Sequence, residues 1–176
     1  MPEMNISGKF RLFVSNVRSL QAHFEELLLM LDSLNSEQLD VIALTETWVN
    51  AEQFACYRID DYTQYLQSRH GKRSGGVAVY IRAGLKYEVE EVVATTFNAL
   101  KIKFMPSVGG SLEFSVIVVY RFCTASKLIF VNELENCVES CSGPVLMAGD
   151  FNIDLLSFDG SARLLNLLTS NGFQSW

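Results

Sequence analysis

Asp150 and Asn152 stand just past the apolar run PVLMAG (144–149), an acid and an amide two residues apart at a strand's mouth. On an extended chain, alternate residues point the same way. One carboxylate that orients or deprotonates water, and one amide that donates to an oxygen gathering charge, then address the same centre. Asn16 follows the run FRLFVS (10–15), Glu46 follows DVIALT (40–45), and Tyr120 ends EFSVIVVY (113–120). A hard divalent cation such as Mg²⁺ takes oxygen ligands and needs only one or two carboxylates. Glu46 is the candidate ligand, Asn16 a support for the metal or a phosphate oxygen, and Tyr120 a second donor to a phosphoryl oxygen. If the strands that carry them point the same way in packed sheets, their tips converge, and the chemistry is metal-assisted attack of water on a phosphodiester. Each residue also has a plainer use: Asp and Asn favour turns, Asn16 could cap one, Glu46 could be an exposed or capping acid, and Tyr120 a core ring with a wet tip.

The elements needed to position these groups can be read from periodicity. Leu20, Phe24, Leu27, Leu28 and Leu31 recur at helical spacing after Ser19, a good N-cap, with Asn35 and Ser36 closing the helix. With the two flanking runs this is a strand–helix–strand unit whose strands share one sheet and place Asn16 and Glu46 at the same edge, where open α/β sheets bind ligands. Residues 50–75 read as a long loop with a basic stretch, SRHGKRSGG. GVAVYIR (76–82), YEVEEVV (87–93), ALKIKF (99–104) and EFSVIVVY read as an antiparallel meander, the last entered through a Gly109-Gly110 turn. Residues 127–141 form a helix with Leu128, Val131, Leu134 and Val138 on one face, PVLMAG a buried strand, and 161–171 a helix stopped by Asn171-Gly172. A new strand begins at the end of the chain, so the expectation is a domain cut short on its C-terminal side.

The chain has 176 residues with 49% hydrophobic and 19% charged side chains, which suits one folded domain. A net charge of −6 disfavours indiscriminate binding to nucleic acid but not a site that meets phosphate through a metal. No apolar run is long enough for a bilayer and no secretory signal is visible. Four cysteines without a zinc-like spacing read as free thiols of an intracellular protein.

SNVRSL (15–20), LTETW (44–48), GGVAVYIR (75–82), VVYR (118–121) and GDFNID (149–154), in this order and at these separations, resemble the endonuclease/exonuclease/phosphatase superfamily. They look most like the apurinic-type endonuclease domain of non-LTR (LINE-like) retrotransposon polyproteins. The resemblance implies an α/β protein, a four-layer α/β/β/α sandwich occupying 10–176 after an extension at 1–9. It also implies Mg²⁺ (Mn²⁺ as a substitute) and the nicking of one DNA strand to leave a 3′-hydroxyl that primes reverse transcription. By motif matching, Asn16 and Glu46 serve the metal, Tyr120 contacts phosphate, Asp150 orients water and Asn152 is the transition-state amide. Arg69, Lys72 and Arg73 lie where family members touch DNA. A reverse-transcriptase domain in the same polyprotein and a nuclear site of action follow as expectations, with no membrane partner. Two departures stand out. Phe122-Cys123 replaces a pair of prolines, and the family's Ser-Asp-His segment has no counterpart in this chain, since neither His23 nor His70 can take its role. The piece alone is therefore expected to be nearly inactive. A superfamily phosphatase acting on inositol phosphates or sphingomyelin, and a decayed noncatalytic remnant, are the alternatives.

Overall fold

The computed structural model describes residues 10–34, 39–69, 74–105, 113–154 and 158–173, the first four of the last segment by backbone alone. In chain order the elements are β1 (Leu12–Asn16), α1 (Leu20–Ser33), β2 (Val41–Thr45), α2 (Ala51–Phe54), β3 (Tyr62–Gln67), β4 (Val77–Arg82), β5 (Tyr87–Glu91) and β6 (Phe97–Phe104). They continue with β7 (Phe114–Arg121), α3 (Lys127–Glu139), β8 (Val145–Asp150) and α4 (Phe158–Ser170). One sheet runs β1-β2-β4-β3, the other β5-β6-β7-β8.

Alternation along the central strands explains why the two sheets stack. In β4, Val77, Val79 and Ile81 join an intersheet core with Leu100, Ile102, Val116 and Val118, while Ala78 and Tyr80 face α1 and α2. Both faces are buried, so the run reads as unbroken apolar sequence. On the far side, Phe97, Ala99, Ile117 and Val119 pack against α3 and α4. The result is four layers: helices, sheet, sheet, helices.

The structure changes several expected details. Residues 50–75 are not one loop. Asn50 and Gln53 form a reciprocal capping box that starts α2, and YTQYLQ forms β3. This strand lies at a sheet edge and is only half-buried, so its Thr and Gln hide the pattern. Nor do the four middle runs make one meander. β4 inserts antiparallel between β2 and β3, and only β5-β6-β7 continue as a meander. PVLMAG forms β8, an edge strand half-buried along its length rather than a buried one. The helix faces are also rotated. Leu28 of α1 and Leu128 of α3 are exposed, and α3 instead buries Phe130, Val131, Leu134, Cys137 and Val138. Asn35, Ser36, Gly109 and Gly110 lie outside the described residues.

Ser19 accepts from the Ala22 amide as the N-cap of α1. At the end of α4, Gly172 adopts φ 72°, and the Gly172 and Phe173 amides donate to the Thr169 and Leu168 carbonyls, a Schellman stop. All four cysteines are thiols. Among the described residues no helix is long and apolar enough to cross a membrane.

Glu133 of α3 fixes that helix to the start of β6. Its carboxylate accepts from the amide and hydroxyl of both Thr95 and Thr96. Burial pushes its pKa up, but those four donors outweigh burial and hold it below the usual carboxylate range. A carboxyl with a depressed folded pKa contributes stability above its unfolded pKa and loses it as pH falls through the folded one. Urea unfolding should therefore show an acid-side loss of stability below about pH 4.5 that Glu133→Gln flattens. An unchanged acid limb in the variant would contradict this.

Candidate active site

Each sheet contains one parallel pair joined by a helix, β1-α1-β2 in the first and β7-α3-β8 in the second. Parallel strands end together, so each pair delivers its C-terminal residues to one edge. β8 contacts both β1 and β2 across the layers, which brings the two edges to one place. There the Asn16 Nδ2 amide donates to Glu46 Oε1 at 3.0 Å and to Asp150 Oδ2 at 2.8 Å. Residues far apart in sequence, from both sheets, thus form one polar cluster.

The loop that aims Glu46 is tightly held. Glu46 and Trp48 have φ 55° and 56°, the left-handed region that side-chain-bearing residues seldom occupy. Backbone bonds hold this conformation: Ser19 N to Glu46 O at 2.9 Å, Leu20 N to Thr47 O at 2.9 Å and Trp48 N to Gly75 O at 3.0 Å. Strain of this kind, about 1–3 kcal/mol per residue, persists where surrounding contacts overdetermine it.

Asn152 sits two residues past the end of β7's partner strand at φ 48°. Its backbone amide donates to Asp150 Oδ1 at 2.9 Å, and its Nδ2 donates to the Arg121 carbonyl at 2.7 Å. One side-chain N–H is therefore engaged by the backbone, and among the described residues the other has no partner. Arg121, only 2% exposed, returns the contact. Its guanidinium donates to Asn152 O at 2.8 Å and Ala125 O at 2.5 Å, and faces the Phe130 ring. Sequence reading treats Arg121 only as part of a motif; an arginine closing an unbroken apolar run was the available signal. Arg121→Met is expected to cost roughly 1–3 kcal/mol, because two part-buried carbonyls lose a charged donor. Urea unfolding checks this, and an unchanged midpoint would count against the lock.

Tyr120 lies on the intersheet face and is 7% exposed. Its pKa is raised by burial first, then by the charges of Glu46, Cys123 and Asp150, with Arg69 opposing. The phenol therefore stays protonated and able to donate. Gly75, at φ 96°, makes room for it: a Cβ there would lie 3.1 Å from Tyr120 Cε1. The Arg69 guanidinium lies 3.8 Å above the Phe122 ring. Lys72, Arg73 and His70 lie outside the described residues. His23 is on the α1 surface, 3.0 Å from Glu26 and away from this cluster.

The donor set suits a hard cation. Glu46 and Asp150 share one amide, and among the described residues neither has a basic partner. Among the described residues no group of three or more His, Cys, Asp or Glu forms. Two carboxylates completed by water and phosphate oxygens match the habit of Mg²⁺.

The profile of the Endonuclease/Exonuclease/phosphatase family matches residues 13–175, and the chain belongs to this family of nucleases and phosphatases. Solved structures share this fold. An AP endonuclease from Archaeoglobus fulgidus superposes with a TM-score of 0.66 at 16% identity, over 92% of this chain and 71% of that one. D. rerio TDP2 complexed with a single strand DNA product gives 0.64 at 17% identity, over 90% and 64%. In sequence, a probable RNA-directed DNA polymerase from transposon BS of Drosophila melanogaster is 26% identical over 119 residues. That stretch spans 67% of this chain but only 13% of the fly protein.

Proposed function

We propose that this chain is part of a retroelement endonuclease that hydrolyses DNA phosphodiester bonds with Mg²⁺, or Mn²⁺ in its place, leaving a 3′-hydroxyl for reverse transcription. The observation that carries the reading is the Asn16–Glu46–Asp150 cluster, built where both parallel pairs end. The likeness to a transposon polymerase and the DNA-bound state of one structural relative support the choice of substrate. A reverse-transcriptase domain in the same polyprotein and action in the nucleus belong to this proposal.

Glu46 and Asn16 would hold the metal, which when bound polarises a phosphoryl oxygen. Asp150 keeps lone pairs beyond those given to Asn16 and Asn152, so it can orient a water and accept its proton. The second Nδ2 hydrogen of Asn152 and the Tyr120 hydroxyl donate to phosphoryl oxygens as charge builds. Arg69, with Lys72 and Arg73, contributes contacts to the DNA backbone.

The test is plasmid nicking by the protein expressed from its full reading frame. Mg²⁺-dependent conversion of supercoiled to open-circle DNA, abolished by chelation, is expected. Turnover of inositol phosphates or sphingomyelin without nicking would assign a phosphatase instead, and inactivity on all of them a noncatalytic remnant.

A further inference from the structure

Beside the carboxylate cluster lies a second pole of opposite charge. Arg69 stacks on Phe122 at 3.8 Å from the ring centroid, and Phe122 in turn meets Tyr120 with ring centroids 6.2 Å apart. Phe122 is 8% exposed, so its ring is a fixed floor rather than a mobile surface group. Gly75 adjoins both partners: a Cβ at that position would meet Tyr120 Cε1 at 3.1 Å and Arg69 Cδ at 3.8 Å. The same glycine holds the Glu46 loop through Trp48 N at 3.0 Å. Among the described residues no carboxylate pairs with Arg69. A half-buried guanidinium, immobilised on an aromatic face and lacking an anion, is a seat for one. Tyr120, which adjoins Gly75 as Arg69 does, is close enough to Glu46, Asp150 and Arg69 to feel all three charges.

We propose that Phe122 is a positioning residue that fixes Arg69 as an anion seat. The guanidinium then engages the non-bridging oxygens of a phosphodiester whose reacting face is turned toward Glu46 and Asp150. This deepens the endonuclease reading and rests on it for the identity of the ester. The seat uses features of arginine that lysine lacks, the planar fork and the stacking face. It also gives the Phe at 122 a use in the site. Diffuse attraction to DNA would ask only for positive charge.

The experiment measures fluorescence anisotropy of a labelled 20-base-pair duplex with the 176-residue chain, without metal, across a salt series. In parallel, bis(p-nitrophenyl) phosphate, a simple diester, is titrated by NMR. Arg69→Lys is expected to weaken both ligands by about 10-fold, as much as Arg69→Gln, since the stacked fork is what is lost. Phe122→Leu should weaken them by about 3-fold or more and Phe122→Tyr should restore them, with thermal midpoints tracked so that a fold defect is recognised. The Phe122→Leu effect should vanish on an Arg69→Lys background. Parent-like binding by Arg69→Lys, or indifference to Phe122→Leu, overturns the seat. Arg69-dependent binding of the diester with none of DNA upholds the seat and overturns DNA as the substrate.

Discussion

In the full-length protein, Asp150→Asn is expected to slow DNA nicking by at least about 10²–10³-fold while leaving the fold as stable as the parent's or slightly more so. The side chain keeps its shape and one acceptor oxygen. It loses the charge that orients water and accepts a proton. It also turns a donor toward Asn16 Nδ2, which at present donates to Asp150 Oδ2 at 2.8 Å. Among the described residues neither Asp150 nor Glu46 has a basic partner, so removing one charge lowers their mutual repulsion and offsets the lost bond. Activity and stability should thus move apart, the signature of a group placed for chemistry. Glu46→Gln should behave alike. Nicking within a few-fold of the parent in either variant would remove that residue from the machinery.

Gly149→Ala should do the opposite, destroying activity through the fold. Gly149 is paired with Val119 in the parallel β7–β8 ladder and has φ 130°. A Cβ there would fall 2.0 Å from the Val119 carbonyl oxygen and 2.9 Å from its amide nitrogen. Those are backbone atoms of a central strand and cannot give way. β8 must pull off β7, and Asp150 moves with it. The expected cost is about 3–5 kcal/mol, or a drop of about 6–20 °C in thermal midpoint. A variant that unfolds within 2 °C of the parent, by roughly the same scale, would mean the two strands are not this close.

The strands buried on both faces, β2, β4 and β7, were legible because their runs are short, apolar and β-branched, and they lie close to where the runs suggest. β3 was hidden because an edge strand buries only part of itself, and Tyr, Thr and Gln suffice. Assigning β4 to a meander failed for a different reason. Sequence neighbours usually pair, and β4 does pair with β3, the strand the reading lacked; its other partner is β2, and β5 lies in the second sheet. At the site, the strand-end residues were visible one by one. The fact that Asn16 spans from one sheet's acid to the other's is a property of two sheets meeting, and no local pattern carries it. Arg121 was missed because its work is with backbone carbonyls of Asn152 and Ala125, which leave no mark in a sequence.

The most direct measurement is a Mn²⁺ titration of the isotopically labelled chain, watched by paramagnetic broadening of amide signals. If Glu46, Asp150 and Asn16 form one cation site, their signals and those of neighbouring residues broaden first and together, and Glu46→Gln abolishes the effect at the same Mn²⁺ level. Broadening that begins elsewhere, for instance at the acidic face of β5, or that survives the substitution, would contradict the site and with it the hydrolytic reading.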